Sequence, residues 1–308
     1  MALSKYLDPK NDIAFKKIFG TEKNKDILIH FLNDILNFSR ENQVEDIQFL
    51  SPVQNPDIAA KKQSIVDVLC TDKQGIKYII EMQVARYKGF EKRAQYYAAK
   101  VYGNQANIGD KYHNLKEIIF IAIANCEIFP NKSDYKSDHI ILDRKTHEHD
   151  LKDFYFTFIE LPKFHKRKEQ LVTIEDKWCY FFKHAHETTE QDLQKIIGTD
   201  EVIRRAYHEL DKFHWTEQEP LIYEQVKKID MDNMAVMDQK IYEAEIRGEA
   251  RGEARGEARG LEKGKIEAQL EIAKNLLRNG MEINLVIRFT GLSEDQMNML
   301  SSYDASSS

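Results

Sequence analysis

Two apolar runs joined by a short glycine turn constrain this chain more than any other feature. Ser64-Ile65-Val66-Asp67-Val68-Leu69-Cys70 and Tyr78-Ile79-Ile80-Glu81-Met82-Gln83-Val84 are rich in Ile, Val and Tyr and read as buried strands. Between them lies Thr71-Asp72-Lys73-Gln74-Gly75-Ile76. A three-residue loop, Lys73-Gln74-Gly75, places Gly75 at the left-handed position of a type I turn plus bulge. In that register paired residue numbers sum to 148, so Asp67 lies opposite Glu81. Gln83, two residues along from Glu81, points to the same face. A slip of one residue would send the two acids to opposite faces.

Aspartate is depleted in strands, and an unpaired buried carboxylate is very costly. A divalent cation compensates such a pair. Hard Mg²⁺ takes carboxylate, carbonyl and water oxygens, lowers the pKa of bound water and stabilises charge on phosphoryl oxygens. Two carboxylates and one amide at one spot therefore suit metal-assisted phosphodiester hydrolysis. Asp67 and Glu81 are the expected ligands, the main-chain carbonyl of Met82 a third, and Gln83 the group that orients the attacking water.

Asp67, a strand, then Glu81-x-Gln83 resembles the half-site of the PD-(D/E)XK nuclease superfamily, in its Glu-x-Gln form. Three further stretches narrow the likeness. They are Leu7-Asp8-Pro9-Lys10-Asn11-Asp12-Ile13-Ala14-Phe15-Lys16-Lys17-Ile18-Phe19-Gly20, Arg93-Ala94-Gln95-Tyr96-Tyr97, and Phe158-Ile159-Glu160-Leu161-Pro162-Lys163. The ordered set is similar to the Rpn family of recombination-promoting nucleases, often labelled transposases, and covers roughly residues 5–165. The resemblance implies a Mg²⁺-dependent DNA endonuclease on an α/β fold, a mixed sheet flanked by helices. The departure from the superfamily's named motif is Gln83 in place of lysine.

Pro56-Asp57 matches the superfamily's name literally, but it lies in a turn-like stretch before Lys61-Lys62. Asp67 has the strand and the register. The chain carries a net charge of −6, which argues mildly against avid DNA binding. Its distribution softens that: residues 61–111 hold ten Lys/Arg against five Asp/Glu. Lys61, Lys62, Lys88, Lys92 and Arg93 are the expected phosphate contacts, with Lys77 and Arg86 nearby. Asp12 is either a helix cap, a role Asn11 fills equally well, or an accessory acid reaching the metal site. Cys70, Cys126 and Cys179 have neither metal nor disulfide spacing. With no long apolar run and no apolar leader, they read as reduced thiols of a cytoplasmic protein.

The chain of 308 residues divides by pattern into four parts. Residues 1–165 form the nuclease domain, with helices on either side of Gly20-Thr21, a strand from Val44 to Leu50, the hairpin, a helix over 87–108, and strands at Glu117–Ala124, His139–Leu142 and Phe154–Leu161. His147-Glu148-His149 reads as a polar loop. Residues 166–246 form a helical accessory region containing the cluster Trp178, Tyr180, Phe181 and Phe182. At 247–264 the unit Arg-Gly-Glu-Ala repeats and decays. A period of four turns about 400° on a helix, so each residue type makes its own stripe, drifting about 40° per repeat. Such a segment is either a pairing helix for a homo-oligomer or a flexible linker. Residues 265–308 read as three short helices, helix-turn-helix-like, with Gly280 as a stop and Ser293 with Gln296 as a capping box. The last helix, Glu294 to Leu300, bears two acids and no base, which leaves a small packing module as the alternative to groove reading.

The function expected from these features is a metal-dependent DNA endonuclease linked to recombination or mobile elements. The alternative is a weak or inactive DNA-binding or assembly protein on the same fold.

Overall fold

The computed structural model describes residues 5–54, 64–86, 88–106, 109–198, 200–293 and 296. They fall into two compact units, Met1–Asp232 and Asn233–Ser308. The first opens with α1 (Asp12–Phe19) and α2 (Lys25–Leu36), followed by β1 (Ile47–Phe49), β2 (Val53–Gln54), β3 (Ser64–Ile65), β4 (Val68–Asp72) and β5 (Lys77–Gln83). Then come α3 (Phe90–Gly103), β6 (Ile118–Ala124), β7 (Lys136–Ile140) and β8 (Phe154–Glu160). Helices α4 (Ile174–His184), α5 (Glu190–Ile197) and α6 (Glu201–Glu209) follow, then α7 (Glu219–Arg278) and α8 (Ile283–Thr290).

Six strands form one mixed sheet in the order β1-β4-β5-β6-β8-β7, and β2 pairs with β3 separately. β5, β6 and β8 run parallel, while β4 and β7 are antiparallel to their neighbours. The centre is β6, Ile-Ile-Phe-Ile-Ala-Ile-Ala, buried at every residue, as a strand covered on both faces must be. Strand alternation sorts the rest. Tyr78, Ile80, Ile119, Ile121 and Ile123 face a core shared with α1, α2, α4 and α6. Ile79, Ile118, Phe120, Ala122 and Phe158 face α3, whose Phe90, Ala94 and Ala98 lie against them. Residues from the expected accessory region enter the first core. Trp178 and Phe182 of α4 pack on Phe19 and Phe31, and the Trp178 indole donates to Asp34 at 2.7 Å.

The hairpin has the register its turn demands. Val68 pairs with Ile80, Leu69 with Ile79, Cys70 with Tyr78. Asp72 N–H donates to Ile76 O and Gly75 N–H to Asp72 O, while the Asp72 carboxylate accepts from the N–H groups of Gln74 and Ile76. Gly75 sits at φ +87°. A Cβ there would lie 3.1 Å from the Lys116 side chain, in a backbone region that L-residues avoid. Gly75→Ala is expected to cost about 1–2 kcal/mol, read as a lowered urea midpoint.

Two expectations are corrected. The run Ser64–Cys70 is not one strand: β3 ends at Ile65 and β4 begins at Val68, because the groups of Asp67 bond to β5 in a different way, described below. The strand placed at His139–Leu142 is Lys136–Ile140. Lys136 anchors it to Ile35 O and Glu175, and Asp138 accepts from Thr157 of β8. Ile141 and Leu142 lie beyond it, exposed.

In the second unit Ala273, Val286 and Leu292 form a small core. Gly280 and Gly291, both at positive φ, stop α7 and α8. The first of the three short helices expected in the tail is therefore the end of α7, a helix of 60 residues. Ser293 and Gln296 exchange reciprocal side-chain bonds, the expected capping box. Among the described residues no helix is long and apolar enough to cross a membrane.

Candidate active site

The site forms at the carboxyl end of β5, on the α3 face of the sheet. Past the last paired residues of β4, side chains replace the ladder. Asp67 N–H donates to Glu81 Oε1 at 3.2 Å. Asp67 Oδ2 accepts the N–H of Met82 at 2.8 Å. This exchange holds the carboxylates side by side and breaks the strand at Val66-Asp67. Glu81 is 5% exposed and Gln83 4%. Among the described residues, nothing hydrogen-bonds to Asp67 Oδ1 or Glu81 Oε2.

Burial and mutual repulsion are the dominant influences on the pair. Burial raises the Asp67 pKa above the usual carboxylate range; the Met82 N–H opposes it, and the charge of Asp12 adds to it. Burial, then the charge of Asp67, pushes Glu81 up to about 8. Arg93 and Lys16 lower both. An acid pair this unfavourable in its charged form is what a bound cation would relieve. The donors are hard oxygens, which fits Mg²⁺. Among the described residues no three His, Cys, Asp or Glu side chains converge as a metal cluster. The acidic oxygens at this spot are those of Asp67 and Glu81.

Other expected site residues fall out as follows. The N-cap of α1 is Asn11, whose side chain accepts from Ile13 N–H at 3.1 Å. Asp12 is the first residue of the helix and pairs with Lys16 at 2.7 Å. It is near enough to act on Asp67 by its charge. Gln83 is held at both ends: its amide N donates to Ala85 O, and its carbonyl O accepts from Arg93. Lys88 and Lys92 are exposed at the start of α3, and Arg86 is exposed before it. Lys61, Lys62 and the Pro56-Asp57 pair lie outside the described residues. Glu160, from the Phe-Ile-Glu-Leu-Pro-Lys stretch, is engaged structurally: it accepts from Ile128 and Phe129 N–H and pairs with Lys163.

Arg93 is the residue whose partners at the site the sequence did not give. The sequence leaves it, with Gln95 and Tyr97, to contact either DNA or the site. Its guanidinium lies 4.8 Å from the Phe90 ring and 5.8 Å from the Tyr97 ring, with Nη2 3.8 Å from Glu81 Oε2. The signal was in the spacing. Phe90, Ala94, Tyr97, Ala98 and Val101 make the sheet-facing side of α3, and Arg93 is the one charge among them. Ala94 and Ala98 let that side approach the sheet closely.

Comparison with known families gives two matches. The family model of the PD-(D/E)XK nuclease family transposases matches residues 9–240. The model of the Rpn/YhgA-like nuclease family C-terminal HTH domain matches residues 267–302. No curated protein and no solved structure matches the chain. The first match covers most of the chain, including the sheet and every residue of the site above, and the mixed sheet with flanking helices is the fold it requires. The chain belongs to the PD-(D/E)XK nuclease family transposases, with an Rpn-type helix-turn-helix domain at its carboxyl end.

Proposed function

We propose that this protein is a Mg²⁺-dependent DNA endonuclease acting in recombination or in the movement of mobile elements. The observation that carries it is the Asp67–Glu81 pair: two buried carboxylates held together by reciprocal bonds to main-chain N–H groups, each with an oxygen left over. Asp67, Glu81 and the Met82 carbonyl would hold the metal. When bound, it supplies a hydroxide at neutral pH and charge neutralisation at the phosphoryl group. The protein's part is to fix the two carboxylates. The exchange with β5 sets their spacing and the hairpin register sets their face. Lys88 and Lys92, at the exposed start of α3, meet the phosphate backbone, and the helix-turn-helix domain supplies a second DNA contact. The protein works in the cytoplasm as an oligomer paired through the α7 repeat.

The test is plasmid nicking with purified full-length protein, in Mg²⁺ and in EDTA. Cleavage is expected only with Mg²⁺, and Asp67→Ala is expected to fall to the EDTA level because a ligand is gone. Mg²⁺-independent cleavage, or an Asp67→Ala protein as active as wild type, would discard the reading. No cleavage under any condition would favour the non-catalytic alternative.

A further inference from the structure

The departure at Gln83 leaves a question of charge. The site described above has two acids, and the superfamily motif would place a lysine two residues after the second. Gln83 carries none. A cation nevertheless stands at that spot. Arg93 Nη2 donates to the Gln83 carbonyl O and lies 3.8 Å from Glu81 Oε2. The Phe90 and Tyr97 rings flank the guanidinium, which fixes its plane. Its Nε is buried without a hydrogen-bond partner, an unusual state for a charged donor. About a third of the side chain remains exposed.

We infer that Arg93 is the positively charged catalytic residue of this site, and that Gln83 is a positioning residue that holds it. The inference rests on the proposed nuclease reading and refines it. The guanidinium presents a free N–H and a full charge beside the carboxylates, where the non-bridging phosphoryl oxygens would gain negative charge as the water oxygen adds to phosphorus, and the leaving oxygen would gain it as the P–O bond breaks. Glutamine suits position 83 because its carbonyl accepts from Arg93 while its amide anchors on Ala85 O. A lysine there would set a second cation against the first. Gln83 and Arg93 thus form a relayed equivalent of one lysine, with the charge borne by a helix instead of by the strand.

Charge exchange between the two positions tests this. Arg93→Met keeps an apolar stem between Phe90 and Tyr97. It is expected to lower Mg²⁺-dependent cleavage by about 100-fold or more, and to tighten Ca²⁺ binding, measured calorimetrically without turnover, on the order of tenfold as a repelling charge leaves. Gln83→Lys alone is expected to weaken Ca²⁺ binding and slow cleavage. The same change in the Arg93→Met background is expected to restore much of the cleavage and return Ca²⁺ affinity toward wild type. Wild-type cleavage by a folded Arg93→Met protein would overturn the inference. So would a Gln83→Lys protein that cleaves faster than wild type with Arg93 present, a result that stands even if Arg93→Met does not fold. Wild-type activity that fails the Asp67 test would instead remove the nuclease reading beneath it.

Discussion

At pH 8 and without divalent metal, the Glu81→Gln protein is expected to unfold at a higher temperature than wild type. The Glu81 carboxyl is 5% exposed, and burial together with Asp67 pushes its pKa up to about 8, from an ordinary value of 4.5. Below pH 4.5 the group is protonated both folded and unfolded and costs nothing. As pH rises, the unfolded chain releases the proton freely while the folded chain must keep it or carry a disfavoured charge. Stability therefore falls between about 4.5 and about 8 and levels off above. The amide of the Glu81→Gln protein does not ionise and is exempt. The expected advantage at pH 8 is on the order of 2–4 kcal/mol, or roughly 5–10 °C in melting temperature. At pH 5 it should nearly vanish. Mg²⁺ should reverse the order, because a cation that binds only the folded wild type stabilises it by mass action. Melting curves at pH 5 and 8, with Mg²⁺ and with EDTA, give all four values. Parallel pH profiles for the two proteins would mean that the site does not hold its acids under strain.

That strain was legible in the residues; the means of bearing it was not. The turn Lys73-Gln74-Gly75 specified the pairing, because only one register puts Gly75 at positive φ and keeps both acids on one face. The break at Val66-Asp67 was hidden, since it arises where the Asp67 carboxylate takes the Met82 N–H, and no propensity scale weighs a side chain against a ladder bond. β7 escaped for a related reason. Lys136, Ser137 and Asp138 are poor strand formers, held in place by Ile35, Glu175 and Thr157 from distant elements. The apolar triplet Ile140-Ile141-Leu142 drew the expectation past the true end. Arg93 shows the same limit at the site. Its charge was visible and its helix was expected, but only the approach of Ala94 and Ala98 to the sheet turns it toward Glu81.

Deleting residues 247–262 is expected to convert an oligomer into a monomer and to shift plasmid cleavage from linear product toward nicked circle. All of this segment lies within α7 and is exposed. In the repeat, arginines at 247, 251, 255 and 259 and glutamates at 249, 253 and 257 are never three or four residues apart. Those are the separations at which helix side chains meet. Accordingly, among the described residues no ion pair joins an arginine of the repeat to a glutamate, and the nearest such contact is Lys263 with Glu267 at 4.0 Å. Like charges stack at four-residue spacing, which weakens a lone helix, and each of the five glycines costs roughly 1 kcal/mol relative to alanine. A Cβ built on Gly248, Gly252, Gly256, Gly260 or Gly264 meets nothing within 4 Å, so packing within one chain does not explain them. A second copy does. Glycine and alanine would allow close approach, and the arginine stripe of one helix would meet the glutamate stripe of the other. A peptide covering 241–270 should therefore gain helicity with concentration and lose it with salt. Full-length and deleted proteins that both sediment as monomers, with a peptide whose helicity ignores concentration, would overturn the pairing and leave the repeat as a linker.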